Sequence, residues 1–419
     1  MTAILLSKEI LLKCRANDDR FSSAGVGGCA LGFLAIIIIR NVLYLQSKQN
    51  NKPKMQQRII GFDLARAYAI FGMYIVNFNF CFGNLNDPSF TGKFTNLFVG
   101  NSTSIFIICA GMGVSLLTRQ GITTPEEKKK IKSIIVKRSW FLFALGILLY
   151  SWWPGDILHF YGGYLHIASF LLFIPKRYYL WVALLAIIIY NTLQLFIPIT
   201  TSWDLQTTIY ADFWTPKGFL RNTFYNGWNS IFPWFAFFSV GMLLGKVDWQ
   251  DKNIRKKIFI TGLCLLTIFK GIRMFIRDDF NSPERNSFYV KYWPQIMDDY
   301  FPANIPFILI TTGFALMVIS ICMYIGHRYS MNKFLLLLAK TGQMTLSLYV
   351  IHLTIGMIIL AKLTGKTYTG YPPAELPIKP AYLLVYAFLF FLVSMLFSYL
   401  WSKRFTKGPF ETLMRKISS

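Results

Sequence analysis

The chain has 419 residues, of which 54% are hydrophobic and 17% aromatic, and its formal net charge is +24 at pH 7. This composition excludes an ordinary soluble domain and is typical of a protein embedded in a lipid bilayer. The basic charge does not call for a nucleic-acid partner, because lysine and arginine also collect on the inner side of membrane proteins.

The first 54 residues are predicted to be an appendage to a core domain. Residues 24–46 contain an apolar run from Cys29 to Ile39, which Arg40 interrupts. The run is compatible with an extra membrane span or with a signal-like hydrophobic region, and translation starting at Met55 is a third alternative. We predict one multi-pass membrane domain over 55–419 and leave the three alternatives open.

Ten segments of the core approach the ~20 apolar residues that a helix needs to cross a bilayer. The sequence therefore predicts an all-α fold, a polytopic membrane helix bundle of about ten transmembrane helices. The predicted spans are 59–83, 94–117, 139–153, 157–175, 178–199, 224–245, 257–275, 304–326, 343–363 and 380–401.

Lysine and arginine are unevenly divided between the two sets of loops that these spans define. With Arg58 on the inner side, the inner segments carry 25 Lys and Arg and the outer segments carry 8. This asymmetry follows the positive-inside rule, so we predict that both ends of the core are cytoplasmic.

The first two predicted spans carry polar residues at both ends. Asp63 and Arg66 are three residues apart near the inner end, which predicts a structural ion pair. Asn77 lies ~27 Å along the helix from Ile59 and so in the outer part of the bilayer. The second span begins with Gly100-Asn101-Ser102-Thr103-Ser104. Its Asn101 and Ser102 are predicted either to join helices or to line a polar cavity.

The largest inner loop carries a helix start signal. Thr124-Pro125-Glu126-Glu127 offers an N-cap, a first-turn proline and a capping-box acid, and a lysine-rich segment up to Ile135 follows it. We predict a basic, partly amphipathic helix along the inner leaflet, ahead of the third span. It serves as a topology anchor or contacts a phosphorylated donor.

An acid and two of the four histidines lie at the start of the fourth span. Asp156, His159, Gly163 and His166 are spaced three, four and three, so they share one helix face. A histidine can take a proton near neutral pH, and a carboxylate three residues earlier can orient it. Asp156 is equally an ordinary N-cap. Gly163 allows a thin ligand or a helix to approach.

The remaining polar residues complete the set of candidates. His352 and His166 are both predicted near mid-membrane. Each of them either joins helices or lines a pathway. The six cysteines are scattered and form no metal motif or evident disulfide framework, so we predict no metal. Gly408-Pro409-Phe410-Glu411 predicts a short terminal helix along the inner surface.

Five motifs taken in chain order resemble the YeiB-like bacterial membrane proteins, a domain family of unknown function, from about residue 58 to 415. They are Arg58 and Gly61-Phe62-Asp63-Leu64-Ala65-Arg66-Ala67 with Asn77, Gly155-Asp156-Ile157-Leu158-His159-Phe160-Tyr161, Phe232-Pro233-Trp234-Phe235-Ala236-Phe237 with Gly241-Met242-Leu243-Leu244-Gly245, Gly342-Gln343-Met344-Thr345-Leu346-Ser347-Leu348-Tyr349, and Gly408-Pro409-Phe410-Glu411 with Arg415.

The resemblance extends to the transmembrane acyltransferases that include heparan-alpha-glucosaminide N-acetyltransferase. It implies a bacterial plasma (inner) membrane location and an acyl-CoA donor, acetyl-CoA foremost, on the inner side. It also implies a glycan or small-molecule acceptor facing outward. Asn77 matches the asparagine that serves the chemistry in that enzyme. The histidine of its next outer loop has no match in 78–90. Either the base has moved, to His159, or the scaffold has another task.

The sequence thus supports two hypotheses of different classes. The first is a membrane acyltransferase with His159 as base, Asp156 as its partner and Asn77 or Asn101 as an oxyanion donor. The second is a noncatalytic transporter, or a lipid- or solute-binding membrane protein, that uses the same polar cavity. Assembly as a homo-oligomer is left open.

Overall fold

A computed structural model describes residues 59–118, 122, 124–204, 207–280, 299–373 and 376–419, and the appendage predicted over 1–54 lies outside them. The helices are α1 (Ile60–Phe82), α2 (Phe90–Asn96), α3 (Asn101–Leu116), α4 (Pro125–Tyr150), α5 (Leu158–Leu171), α6 (Tyr178–Phe196), α7 (Pro216–Arg221), α8 (Ile231–Gly245), α9 (Lys252–Phe280), α10 (Ile305–Arg328), α11 (Lys333–Gly342), α12 (Thr345–Ile351), α13 (Met357–Thr364), α14 (Pro380–Trp401) and α15 (Pro409–Ser418). Two π-helical turns follow α7 (Asn222–Asn226) and α12 (His352–Gly356), and β1 (Trp203–Asp204) pairs antiparallel with β2 (Ile209–Tyr210).

The described residues confirm the all-α fold, and each predicted span contains a helix. Within the part of the chain that the structure describes, six helices are long and apolar enough to cross a membrane, or seven if the bent pair Pro216–Asn226 and Ile231–Gly245 is one span. Of the other predicted spans, α5 has only 14 residues, and α1 and α9 include charged residues. The count of ten therefore stays a prediction.

Small residues set the closest helix crossings. A Cβ added at Gly111 of α3 would lie 2.1 Å from the carbonyl oxygen of Phe238 in α8, and one at Gly241 would lie 2.1 Å from that of Ile108. Such contacts are typical of membrane helices, whose association depends on close backbone approach. At the periphery, α6 buries one stripe of side chains and exposes apolar ones, as a lipid-facing helix does.

The predicted separation of the inner-loop helix from the third span is wrong. Residues 125–150 form one continuous helix of 26 residues, because no glycine, proline or turn sequence interrupts the run between Glu126 and Leu145. The predicted start is confirmed: Thr124 Oγ1 accepts from the Glu127 N–H at 3.2 Å, and the Thr124 N–H donates to Glu127 Oε2 at 3.2 Å. The lysine-rich segment therefore extends the span.

The second predicted span is divided near its N-terminal end. Leu97 to Gly100 separate α2 from α3, and Gly100 has φ of +72°, a left-handed conformation that favours glycine. Asn101 consequently lies at the first position of α3. At the other end of the chain, α15 confirms the terminal helix predicted after Gly408, and it packs against α4 and α12.

Candidate active site

Asp156 and His159 form a hydrogen-bonded pair at the start of α5. Asp156 Oδ2 accepts from the backbone N–H of His159 at 3.1 Å and lies 3.2 Å from His159 Nδ1. The N-cap of α5 is Ile157 and not Asp156, which the sequence had offered for that role, but the Asp156 carboxylate still accepts from the first turn of the helix and orients the imidazole. Both side chains are 0% exposed. Because the carboxylate accepts from Nδ1, the proton of a neutral ring is on Nδ1 and the lone pair is on Nε2.

His159 Nε2 is buried and has no hydrogen-bond partner among the described residues. Aromatic rings surround the imidazole, with centroids 3.8 Å away at Phe160, 5.8 Å at Tyr150 and 6.0 Å at Phe213. Leaving a buried acceptor unpaired costs about 1–3 kcal/mol, so such an atom calls for an explanation. A base that awaits the proton of a substrate supplies one.

Tyr349 of α12 holds the pair from a second helix. Its hydroxyl donates to Asp156 Oδ1 at 3.3 Å and accepts from the Ile157 N–H at 3.2 Å. The carboxylate thus has a partner on each oxygen. The sequence indicated the motif that contains Tyr349 but no role for this residue, because 193 positions separate it from Asp156.

Gly146 of α4 lets the pair approach that helix. A Cβ at this position would lie 2.1 Å from His159 N, 2.7 Å from Asp156 Oδ2 and 2.8 Å from His159 Cα. Only hydrogen fits in this space. Sequence reasoning missed Gly146, since it is one glycine in an apolar run whose partner helix is unknown before the fold is.

Residues 199–204 and 207–229, which include a loop predicted on the outer side, pack beside the pair through Phe213; we call them the outer lobe. Its Phe213 stacks on Tyr150 of α4 with ring centroids 3.6 Å apart and an angle of 11°. Both rings also lie roughly perpendicular to the imidazole of His159, at 5.8 and 6.0 Å between ring centroids, and we call this pair of rings the roof. Phe213 is 1% exposed.

An ion pair ties the outer lobe together. Arg221 donates to both carboxylate oxygens of Asp212 at 2.7 and 2.8 Å, to the Tyr210 hydroxyl at 2.9 Å and to Ser202 Oγ. Burial alone would raise the pKa of Asp212, but the hydrogen bonds from Arg221 and Ser202 outweigh it and lower that pKa below its ordinary value. The tertiary structure brings these residues together, and they were not among the predicted site residues.

A second pair that contains a histidine, Asn77 with His352, joins α1 to the π-helical turn after α12. His352 Nδ1 lies 3.2 Å from the carbonyl oxygen of Leu348, so it carries the proton, and Nε2 accepts from Asn77 Nδ2 at 3.0 Å. His352 is 0% exposed. Single π turns within α-helices are frequent at functional sites. Within the described ranges, Asn77 makes its side-chain hydrogen bond to His352 and not to His159.

Tyr349 connects the two pairs. Its ring centroid is 5.2 Å from that of His352, while its hydroxyl contacts Asp156. A chain of contacts therefore runs across three helices in the order Asn77, His352, Tyr349, Asp156 and His159. Asn77 and His159, both predicted as catalytic residues, are thus linked indirectly.

Asn101 lies at the start of α3, and Ser102 lies at a helix interface. Asn101 Nδ2 donates to the Leu97 carbonyl at 2.7 Å, while its Oδ1 is buried and has no partner in the described part of the chain. A Cβ on Gly72 would lie 1.9 Å from Ser102 Oγ, so Ser102 sits in the crossing of α1 and α3. Their placement in a cavity stays a prediction.

Gly163 and His166 were predicted on the same helix face as Asp156 and His159, but they lie apart from that pair. A Cβ on Gly163 would meet the end of the Ile231 side chain at 2.8 Å, which identifies a helix contact with α8. The His166 ring lies 5.9 Å from that of Trp140, which is 57% exposed. Helical spacing aligned these residues, but the short α5 turns its later part towards other neighbours.

Asp63 and Arg66, the residues of the predicted structural ion pair, lie close together in α1. Arg66 and Asp63 are 3.7 Å apart, and Gln343 Nε2 donates to Asp63 Oδ2 at 3.3 Å. Elsewhere, the four cysteines within the described ranges are free, and Cys81 and Cys109 are buried. No group of three or more His, Cys, Asp or Glu residues that could hold a metal ion occurs in those ranges.

Comparisons with known proteins match two separate parts of the chain. Residues 58–262, which contain Asn77, Asp156, His159 and the outer lobe, match the family described as heparan-alpha-glucosaminide N-acetyltransferase, catalytic. Residues 287–419 match the family described as protein of unknown function (DUF418), which is the YeiB-like type. No curated protein matches the chain. These matches confirm the predicted resemblance to YeiB-like proteins and to the acetyltransferase, and the chain is an all-α, multi-pass membrane protein.

Proposed function

We propose that the protein is a membrane acyltransferase that moves an acyl group, acetyl foremost, from acyl-CoA on the inner side to an outward-facing acceptor. The acceptor is a sugar or a small molecule with a hydroxyl or amine. The observation that carries the proposal is the Asp156–His159 pair with an unpartnered Nε2. The acetyltransferase match over 58–262 supports the reaction class.

His159 acts as the base in this proposal. Nε2 takes the proton of the acceptor hydroxyl or amine while the acceptor oxygen or nitrogen attacks the thioester carbonyl. The C–S bond then breaks, and the coenzyme A thiolate receives that proton from the imidazolium. Asp156, fixed by Tyr349 and by its own helix, stabilises the imidazolium between these steps.

Asn77 and His352 act as a second polar pair, which Tyr349 and Asp156 link to the base. Asn77 Nδ2 has two N–H groups, and one donates to His352. The other is left for the carbonyl oxygen of the acyl group, which develops negative charge during attack. Tyr349 places this pair next to the Asp156–His159 pair.

The outer lobe controls access in the same scheme. In this scheme Phe213 and Tyr150, whose rings lie next to the imidazole, shield Nε2, and an acceptor from the outer side reaches it once the roof has moved. Closure over the bound acceptor excludes water, which would otherwise hydrolyse the acyl group. Location in a bacterial inner membrane with cytoplasmic core ends agrees with the lysine and arginine bias.

The test is transfer from labelled acetyl-CoA by the purified protein in lipid vesicles. We expect acyl-CoA-dependent labelling or hydrolysis, and His159→Ala to lower it by about 10²–10⁴-fold, the usual contribution of a positioned base. His166→Ala, on the same helix and beside exposed Trp140, is the matched control and should retain activity.

Two outcomes would contradict the proposal. Retention of transfer by both His159→Ala and Asn77→Ala would show that the site is elsewhere. Solute flux through the protein that is indifferent to acyl-CoA, with no transfer or hydrolysis, would favour the transporter alternative.

A further inference from the structure

The C-terminal helix places a buried carboxylate at the start of α12. Glu411 Oε1 accepts from the backbone N–H groups of Leu346 at 2.8 Å and Ser347 at 3.2 Å. Glu411 Oε2 accepts from the Ser347 hydroxyl. Ser347 Oγ in turn accepts from the Phe410 N–H at 3.0 Å. The carboxylate thus satisfies N–H groups that have no partner within α12 itself.

The environment of Glu411 makes this contact a strong one. The residue is 9% exposed. Burial raises the pKa of its carboxyl group, and the hydrogen bonds from Ser347 and Leu346 act in the opposite direction. A buried acid is retained only where its partners compensate the loss of water, and the partners of Glu411 belong to the start of α12 or to α15 itself.

The same terminal helix also holds α4. Lys137 Nζ donates to the carbonyl oxygen of Ser419 at 3.0 Å, and Arg138 Nε donates to Ser418 Oγ at 3.3 Å. Since α4 carries Gly146 and Tyr150, α15 is attached to both helices that flank the Asp156–His159 pair. One is α4, and the other is α12 with Tyr349.

The distances show why this attachment matters. Tyr349 lies two residues after Ser347, within one helical turn of the Glu411 contacts. Its hydroxyl is 3.3 Å from Asp156 Oδ1 and 3.2 Å from Ile157 N, close to the limit for a hydrogen bond. A shift of α12 by about 1 Å would break both contacts.

We propose that Glu411 is a positioning residue, which fixes α12 against α4 so that Tyr349 meets Asp156 and Ile157. It acts from the inner end of the helix and touches no substrate. Its effect on activity rests on the acyltransferase function proposed above, whereas its effect on the Tyr349 contact does not.

The first measurement does not need activity. Hydrogen–deuterium exchange of the full protein in vesicles, with overlapping peptides that resolve Ile157, reports the bond from its N–H to the Tyr349 hydroxyl. We expect Glu411→Ala to speed this exchange by about tenfold, as Tyr349→Phe does directly. Glu411→Gln keeps one acceptor oxygen for the two N–H groups and should lie between Glu411→Ala and the wild type.

The matched control is Glu126→Ala, which removes an exposed glutamate from the first turn of α4. It should leave Ile157 exchange unchanged. If Glu411→Ala does not fold, Glu411→Gln and Ser347→Ala carry the test. Exchange at Ile157 equal to the wild type in a folded Glu411 variant, while Tyr349→Phe exchanges faster, would overturn the proposal.

The second measurement is kinetic. We expect Glu411→Ala to lower kcat about tenfold with little change in the KM for acetyl-CoA, and Glu411→Gln to restore part of kcat. An inactive wild type would defeat the proposed function but would leave the exchange result to decide the role of Glu411. An active protein with unchanged kcat in Glu411→Ala would contradict positioning of the site.

Discussion

Replacing Gly146 by alanine tests the close approach of α4 to the Asp156–His159 pair. The added Cβ would lie 2.1 Å from His159 N, where ordinary contact begins at 3.4 Å. Two of the three nearest atoms belong to the backbone of α5, so no side-chain rotation relieves the overlap. The two helices must separate, and the hydrogen bonds around Asp156 must lengthen.

The expected cost follows from two opposing effects. Overpacking of a well-packed interface costs about 1–3 kcal/mol. Alanine in a helix interior also stabilises by roughly 0.5–1 kcal/mol relative to glycine. Gly271→Ala isolates the second effect, because no heavy atom lies within 4 Å of its added Cβ. The difference between the two variants therefore gives the steric cost alone.

The assay is the free energy of unfolding of both variants in the same mixed-micelle denaturant series. We expect Gly146→Ala to be less stable than Gly271→Ala by about 1–3 kcal/mol. Its Ile157 amide should also exchange faster, since the bond to Tyr349 is strained. Equal stability of the two variants, with normal exchange at Ile157, would refute the packing described for this site.

Two further predictions concern the outer lobe. Phe213→Ala should destabilise the protein by about 3–5 kcal/mol and expose His159 to diethyl pyrocarbonate, measured by mass spectrometry. Phe224→Ala, a control at a ring 40% exposed, should change neither, and unchanged modification in Phe213→Ala would contradict the roof. The pKa of Asp212 is lowered in the folded state, so its pairing with Arg221 should stabilise the lobe above the ordinary carboxyl pKa of 3.8 and cease to do so as pH falls through the folded value. Asp212→Asn should abolish the contribution of Asp212 to the pH dependence of unfolding. A pH profile of unfolding identical to that of the wild type would count against the stabilising role of the Asp212–Arg221 pair.

Local contacts within one turn of helix were predictable from the sequence. The capping box at Thr124, the Asp63–Arg66 ion pair and the Asp156–His159 pair all join residues three apart. Helical geometry fixes such neighbours before any tertiary packing is known. The positions of the helices follow in the same way from apolar run length.

The sequence predicted an inner-loop helix separate from the third span, and this division was wrong. A change from basic to apolar side chains near Ser139 suggested a boundary, but composition does not end a helix unless the backbone has a breaker. The structure shows an uninterrupted helix to Tyr150.

Only the tertiary structure decided which residues from distant segments meet. Asn77 bonds to His352 across 275 positions, Tyr349 to Asp156 across 193, and Glu411 to Ser347 across 64. Which helices pack together depends on shape along their whole length, and membrane helices of similar hydropathy give little indication of it. The sequence therefore determined the membrane helices and the Asp156–His159 pair, whereas helix packing decided that Asn77 reaches this pair through His352 and Tyr349.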